Sequence, residues 1–482
     1  MDRRRKQGLG DIKPTMSRFR SNIVRITHQQ LRWHFTVLLT LLVLAIGCSG
    51  KDSSLQQGEE LIHSGMHPEA INLLEQIIET DRRNPQARFL LGQAYEEVGR
   101  YEDAIDQFKT AINLYAAHPE DRAAVQIRLA KIYMKHGNRD EGFNELRAIV
   151  RSASDNAMLQ EIAELVSDAY RVVKLTQGDN DDYSPCFSAD GSQIAFSSFR
   201  QDNGEVYIMD LNGRILRRVT FTTDFDEGTP AFLSHRHYLI YSREPKTSRE
   251  VKILLQSSGS TPVYAGFYLT HIYSKVTQEI LPVGFGVRAP DLSPDRKRVI
   301  YESNTAGNLE LHMLDLSNID LENIDPDLIK PQRITHNEVD DGSPAFFPNG
   351  QRILFVSSRP TEPGNRRSEI HQICAANIDG NDVRHLNPNP YDCYSPKISP
   401  DGKTIAFVSA RESDIEIYLM DADGRNARRI TNGIGVSIQP AFSPDGTKLA
   451  FVSDRSDTFQ IYLMHLDQPV TRKDLIRTLQ AE

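Results

Sequence analysis

Residues 395–431 read SPKISPDGKTIAFVSARESDIEIYLMDADGRNARRIT, and residues 439–466 nearly repeat them as QPAFSPDGTKLAFVSDRSDTFQIYLMHL. In each, Ser-Pro-Asp-Gly (399–402 and 443–446) is a turn recipe. Proline presets φ at the second position, the serine takes a local hydrogen bond, and glycine takes the position that needs φ > 0. The apolar runs Ile405–Val408 and Leu449–Val452 suit strands covered on both faces. A third strand, Ile415–Met420, leads into a second tight turn at Asp421-Ala422-Asp423-Gly424. Arg428-Arg429-Ile430-Thr431 then begins a fourth.

Weaker copies precede these two: SPCFSADGSQIAFSSF at 184–199, TPAFLSHRHYLIYSR at 229–243, APDLSPDRKRVIYES at 289–303 and SPAFFPNGQRILFVSS at 343–358. Their leading prolines, Pro185, Pro230, Pro290, Pro344, Pro396 and Pro440, are spaced 51 residues apart on average. A small sheet repeated six times, unable to cover its own faces, predicts a six-bladed all-β propeller over 171–482. Residues 257–277 and 316–331 read as insertions. The strings P-x-F-S-P-D-G-x-x-[IL]-A-F and I-Y-x-M-D-x-D-G resemble the TolB-like, Tol-type propeller family. The Trp-Asp signature of WD repeats is absent, since the one tryptophan is Trp33. Tyr170–Thr176 (YRVVKLT) and Arg472–Leu479 (RKDLIRTL) both resemble an outer strand. The first is favoured to complete the last blade, because it would latch the ring.

From Leu55 the apolar period becomes helical. At a 34-residue step, Leu91, Gly92, Tyr95, Ala104, Phe108 and Ala111 occupy the positions that a tetratricopeptide repeat fills with the same residues. Gly58, Leu61, Ala70 and Leu74 align one step earlier; Leu129, Ala130, Tyr133, Gly142 and Leu146 follow, displaced by four residues. Small residues at Gly92 and Ala104 allow close helix crossing, with Tyr95 and Phe108 filling the gap beside them. Gly99 and Gly137 mark inter-helix turns. The expected class is therefore α + β multidomain, with a helical tetratricopeptide-type array over 54–170, capped by a helix near 156–170, followed by the propeller.

Residues 1–47 carry nine Lys/Arg and two acids. The apolar run Phe35–Ile46 is too short for a bilayer and fits a signal-peptide core, with Met1 or Met16 as the start. Ala45-Ile46-Gly47-Cys48 resembles a lipobox, which implies cleavage after 47 and lipidation of Cys48. Ser49, without an aspartate there, implies outer-membrane sorting; residues 48–53 would form a tether.

The formal net charge of −9 becomes −16 once the leader is removed, which disfavours nucleic-acid binding. No catalytic triad motif, zinc motif or dinucleotide fingerprint stands in its required setting, so neither cofactor nor enzyme activity is expected. Charged residues before the leading prolines should line the propeller mouth: Asp182, Glu227, Arg288, Asp341 and Asp392. They form the expected partner-binding set, docking a basic segment or a cation. The resulting expectation is a periplasm-facing envelope lipoprotein that scaffolds envelope proteins. The alternatives are a propeller for cell-wall glycan or a small ligand, with Tyr183, Tyr391 and Tyr394 as its aromatics, or an accessory subunit of a hydrolase.

Overall fold

A computed structural model describes residues 50–481, apart from 137, 153–155, 235–236, 247–264, 361–369, 387–390, 412–414 and 433–434. Cys48, its leader and Gly137 lie outside the described residues. The chain divides at Ile132/Tyr133 into two compact units.

The first unit is built from antiparallel helices: α1 (Gly50–His63), α2 (His67–Thr80), α3 (Pro85–Glu97), α4 (Tyr101–Leu114) and the greater part of α5 (Pro119–Lys135). Asn84 caps α3 by accepting the Ala87 amide at 2.9 Å, and Pro85 occupies a first-turn position that needs no amide. Ala70, Ala87, Ala94, Ala104 and Ala111 are buried and let the helices approach closely. Gly92 shows how tightly. A Cβ there would lie 2.5 Å from the Phe108 ring, which is itself fully buried. Gly99, at φ 77°, makes the turn between α3 and α4.

The second unit opens with α6 (Arg139–Ser152) and α7 (Asn156–Val166). The C-terminal residues, one of the two candidates for the closing strand, form helix α8 (Arg472–Ala481) instead. Leu475 and Leu479, one helical turn apart, are buried as α8 packs on α6 and α7, and Arg147 Nε donates to the Leu479 carbonyl at 2.6 Å.

Six four-stranded antiparallel sheets make the propeller. Their innermost strands are Asp182–Phe187, Phe225–Ser234, Val287–Leu292, Asp341–Phe346, Cys393–Ile398 and Ser437–Phe442, in blades 1 to 6. The second strands carry the core: Phe196, Tyr241, Tyr301, Phe355, Phe407 and Phe451 are all essentially inaccessible. Each is sandwiched with apolar side chains of its own and adjacent blades, as in the cluster joining Phe407, Ile405 and Tyr418 to Phe347 and Leu354. The ring closes through Tyr170–Lys174, which pairs antiparallel with Gln460–Pro469 and supplies the outer strand of blade 6.

The predicted turns form as their chemistry requires. Ser399 Oγ donates to Asp401 Oδ1 at 2.6 Å and accepts the Thr404 amide at 3.0 Å, while Gly402 sits at φ 73°. At the other turn, Gly424 (φ 90°) lets the Leu386 carbonyl of blade 4 press against blade 5, where any Cβ would collide.

One expected insertion needs correcting. Gly266–His271, inside the segment 257–277, is the third strand of blade 2, pairing with Tyr238–Arg243. It lacks the I-Y-x-M-D string, so only its aromatic and β-branched content, Phe267, Tyr268 and Thr270, marks it as a strand. Residues 316–331 do depart from the repeat. Gln278 clasps them, donating to the Leu321 carbonyl and accepting the Ile324 amide, and Ile319, Leu321, Ile324 and Ile329 pack on the core between blades 2 and 3.

Candidate functional site

Three residues before its leading proline, each innermost strand carries Asp182, Glu227, Val287, Asp341, Cys393 or Ser437, on one face of the ring; in blade 2 the strand begins two residues earlier, at Phe225. All six residues are buried. The register places them opposite Ser198, Arg243, Ser303, Ser357, Ser409 and Ser453 of the neighbouring strand.

Of the five charged residues expected at this mouth, three occupy the equivalent buried position. Asp182 meets Arg200 at 3.2 Å, Glu227 meets Arg243 at 2.9 Å, and Asp341 meets Arg359 at 2.8 Å while accepting Ser357 Oγ at 2.6 Å. Burial raises all three carboxyls above their ordinary range, against the pull of these partners; that of Glu227 reaches about 7. Removing one member of such a pair strands a buried charge, typically at a cost of about 3–5 kcal/mol.

Arg288 and Asp392 lie one residue out of that register and point elsewhere, because successive strand side chains alternate. Arg288 lies 3.4 Å from Glu302 with a side chain 42% exposed. Asp392 accepts from the His371 amide at 2.8 Å and faces its Nδ1 at 3.0 Å. It also takes a hydrogen bond from Tyr394. Around it, Tyr391 and Tyr394 are 40% and 38% exposed, and the His371 ring lies 5.7 Å from Tyr394. Tyr183, by contrast, packs on Phe199 and Phe459.

The arginines that meet these acids, unlike Arg288, stand outside the expected set, although the sequence carries a signal for Arg200, Arg359 and Arg455. Ser-x-Arg ends the second strand in four copies, at 198–200, 357–359, 409–411 and 453–455. In blade 6, where Ser437 replaces the acid, Arg455 donates to Ser437 Oγ at 3.2 Å and takes Asp168 as its carboxylate at 2.6 Å. Asp168 lies just before the closing strand. Blade 3 has Thr305 at the arginine position and no acid at Val287.

Toward the opposite face lies a central cavity of about 390 Å³. Every blade contributes the residue before its leading proline, and all six adopt positive φ: Ser184, Thr229, Ala289, Ser343, Ser395 and Gln439, between 45° and 53°. In each blade the strand register shifts at this step, a six-fold repeated bulge. Lys397 reaches from blade 5 to Asp291 of blade 3 at 2.7 Å, and Arg296 donates to the Phe232 carbonyl. Cys186 also lines the cavity, but burial pushes its thiol up to about 12, so thiolate chemistry is suppressed at neutral pH. Among the described residues no cluster of three or more His, Cys, Asp or Glu could hold a metal ion, and no helix is long and apolar enough to cross a membrane.

Comparison with known proteins agrees with the two modules. Residues 61–120 match the tetratricopeptide repeat model, and residues 364–475 match the TolB beta propeller domain model. The uncharacterized protein Atu1656 of Agrobacterium fabrum (strain C58) is 31% identical over 99 residues, which span 19% of this chain and 31% of that relative. The crystal structure of TolB from Acinetobacter baumannii is 19% identical, with 58% of this chain and 65% of that one covered at a TM-score of 0.42. Oligogalacturonate lyase in complex with manganese is 15% identical, with 62% and 95% covered at a TM-score of 0.42. The chain thus joins tetratricopeptide repeats to a TolB-like six-bladed β-propeller.

Proposed function

We propose that this protein is a non-catalytic scaffold of the cell envelope, lipid-anchored through Cys48 on the periplasmic side of the outer membrane. It docks envelope proteins on its helical repeats and at the propeller mouth. The supporting observation is the mouth itself. Asp182, Glu227 and Asp341 are spent on arginines and fix its walls, while Arg288, Asp392, Tyr391 and Tyr394 face outward. Rigid walls with exposed aromatic and charged side chains suit recognition of a protein surface. Anchoring is supported by the basic, apolar leader ending at Gly47-Cys48.

The test is cross-linking in intact envelopes followed by purification of the full chain. One envelope protein should be captured by the wild type and lost with Tyr391→Ala plus Tyr394→Ala, the fold of the variant being checked by its melting temperature. Capture that survives this double variant excludes the mouth as the docking face. Cys48→Ala should move the protein from the membrane to the soluble fraction. The exposed tyrosine pair also favours a second reading, glycan binding; co-sedimentation with insoluble cell wall after removal of bound protein separates the two.

A further inference from the structure

Four blades carry the Ser-x-Arg ending, and three of those arginines have a carboxylate: Arg200 with Asp182, Arg359 with Asp341, Arg455 with Asp168. Arg411 of blade 5 has none within ion-pair distance among the described residues. The difference is written in the sequence, because Cys393 stands where Asp182 and Asp341 stand in their blades.

The guanidinium is nevertheless held as its counterparts are. Arg411 Nε lies 3.2 Å from Ser409 Oγ, as Arg455 Nε lies 3.1 Å from Ser453 Oγ. Arg411 sits 4.9 Å from the Tyr418 ring centroid, matching Arg200 at 4.8 Å from Tyr207 and Arg455 at 5.2 Å from Tyr462. Its other ring neighbour, Tyr391 at 5.7 Å, is exposed at the mouth, beside Tyr394. The site is therefore a half-buried, pre-oriented guanidinium with aromatic walls, and among the described residues no carboxylate takes the place of its ordinary counter-ion. Pre-orientation lowers the entropy lost on binding, and a guanidinium matches a carboxylate in geometry.

Resting on the scaffold reading above, we infer that Arg411 is the subsite for a single carboxylate of a partner polypeptide, set beside an apolar or aromatic side chain. One arginine neutralises one carboxylate. Asp392 stands close by and the chain is acidic overall, at −9, so a polyanion such as a polyuronate or nucleic acid meets repulsion. The tyrosines offer apolar surface to the neighbouring side chain.

Saturation-transfer NMR on the full chain tests this with three probes: N-acetylphenylalanine, N-acetylphenylalaninamide and galacturonate. Wild type should bind the acid at least about tenfold more tightly than the amide. In Arg411→Gln the ratio should fall to near unity. Cys393→Asp, which supplies the missing internal acid, should abolish the preference while keeping Arg411. If Cys393→Asp does not fold, Arg411→Gln decides alone. Equal binding of acid and amide by wild type, or a ratio that survives in folded Arg411→Gln, overturns the subsite. Preference for galacturonate over N-acetylphenylalanine overturns its assignment to a polypeptide. Envelope capture that persists when wild type shows no acid preference sinks the subsite and leaves the scaffold standing. An acid preference lost in Arg411→Gln, with wild type capturing nothing, sinks the scaffold and leaves the carboxylate pocket.

Discussion

Arg455 Nη1 lies 2.6 Å from Asp168 Oδ2, across 287 residues of chain. The last blade thus completes its mouth with an acid from the segment that leads into the first strand. Asp168 Oδ1 also accepts the Asn432 amide at 3.1 Å, and Glu164 faces Arg428 at 3.4 Å. Both partners of the Arg455 pair are largely withdrawn from solvent, at 16% and 14% exposure. Asp168→Asn should therefore destabilise the propeller by about 2–4 kcal/mol. The exposed Arg100–Asp103 pair serves as the control, and Asp103→Asn should leave stability nearly unchanged. Urea unfolding of both variants, followed by near-ultraviolet circular dichroism, checks the contrast; equal effects refute the latch.

Glu227 gives a pH signature. Its carboxyl is raised from 4.5 to about 7 by burial, against the pull of Arg243. A raised carboxyl favours the folded state while it is protonated. Its contribution is full below pH 4.5 and is lost as pH rises to about 7. Glu227→Gln should remove that downward slope, so its melting temperature should gain on wild type between pH 5 and about pH 7. Parallel slopes for the two proteins would show that the carboxyl titrates normally.

Gly92 and Phe108 are coupled by space, since a Cβ on the glycine would lie 2.5 Å from the ring. Gly92→Ala should destabilise the helical unit by about 1–3 kcal/mol through overpacking. Adding Phe108→Leu should recover part of that loss, giving a favourable coupling energy in a double-mutant cycle. Additive losses would mean that the two residues do not share the gap.

Burial pushes the Cys186 and Cys374 thiols up to about 12. Native protein at pH 8 should resist iodoacetamide at both, with labelling appearing only after denaturation. Rapid native labelling at Cys374 would contradict its place in the core.

Much of the ring was legible because turns and strand cores obey local chemistry. The seam was legible for a related reason. Thr176 accepts the Ile461 amide at 2.9 Å just as Thr431 accepts the Ile417 amide at 2.8 Å, so the same Thr recurs at the end of equivalent strings. The C-terminal segment carried its own signal, Leu475 and Leu479 four residues apart, which suits a helix better than a strand. The mouth was harder to read. Composition locates acids before each proline, but whether an acid is exposed or spent depends on a one-residue register and on an arginine 16 to 18 residues away across a hairpin. Arg288 and Asp392 differ from Asp182 and Asp341 in that register alone.

The closing strand has a mechanical corollary. Tension arriving from the N-terminal side enters the ring at Tyr170, on the outermost strand of blade 6, which is zipped to its neighbour by five paired residues. Among the described residues, that strand is the one place where a blade draws on a distant part of the chain, while the other five blades each take all four strands from one continuous run. The ring is thus fastened as a belt is, with the buckle in blade 6, and opening it means undoing five residue pairs rather than dismantling a whole sheet.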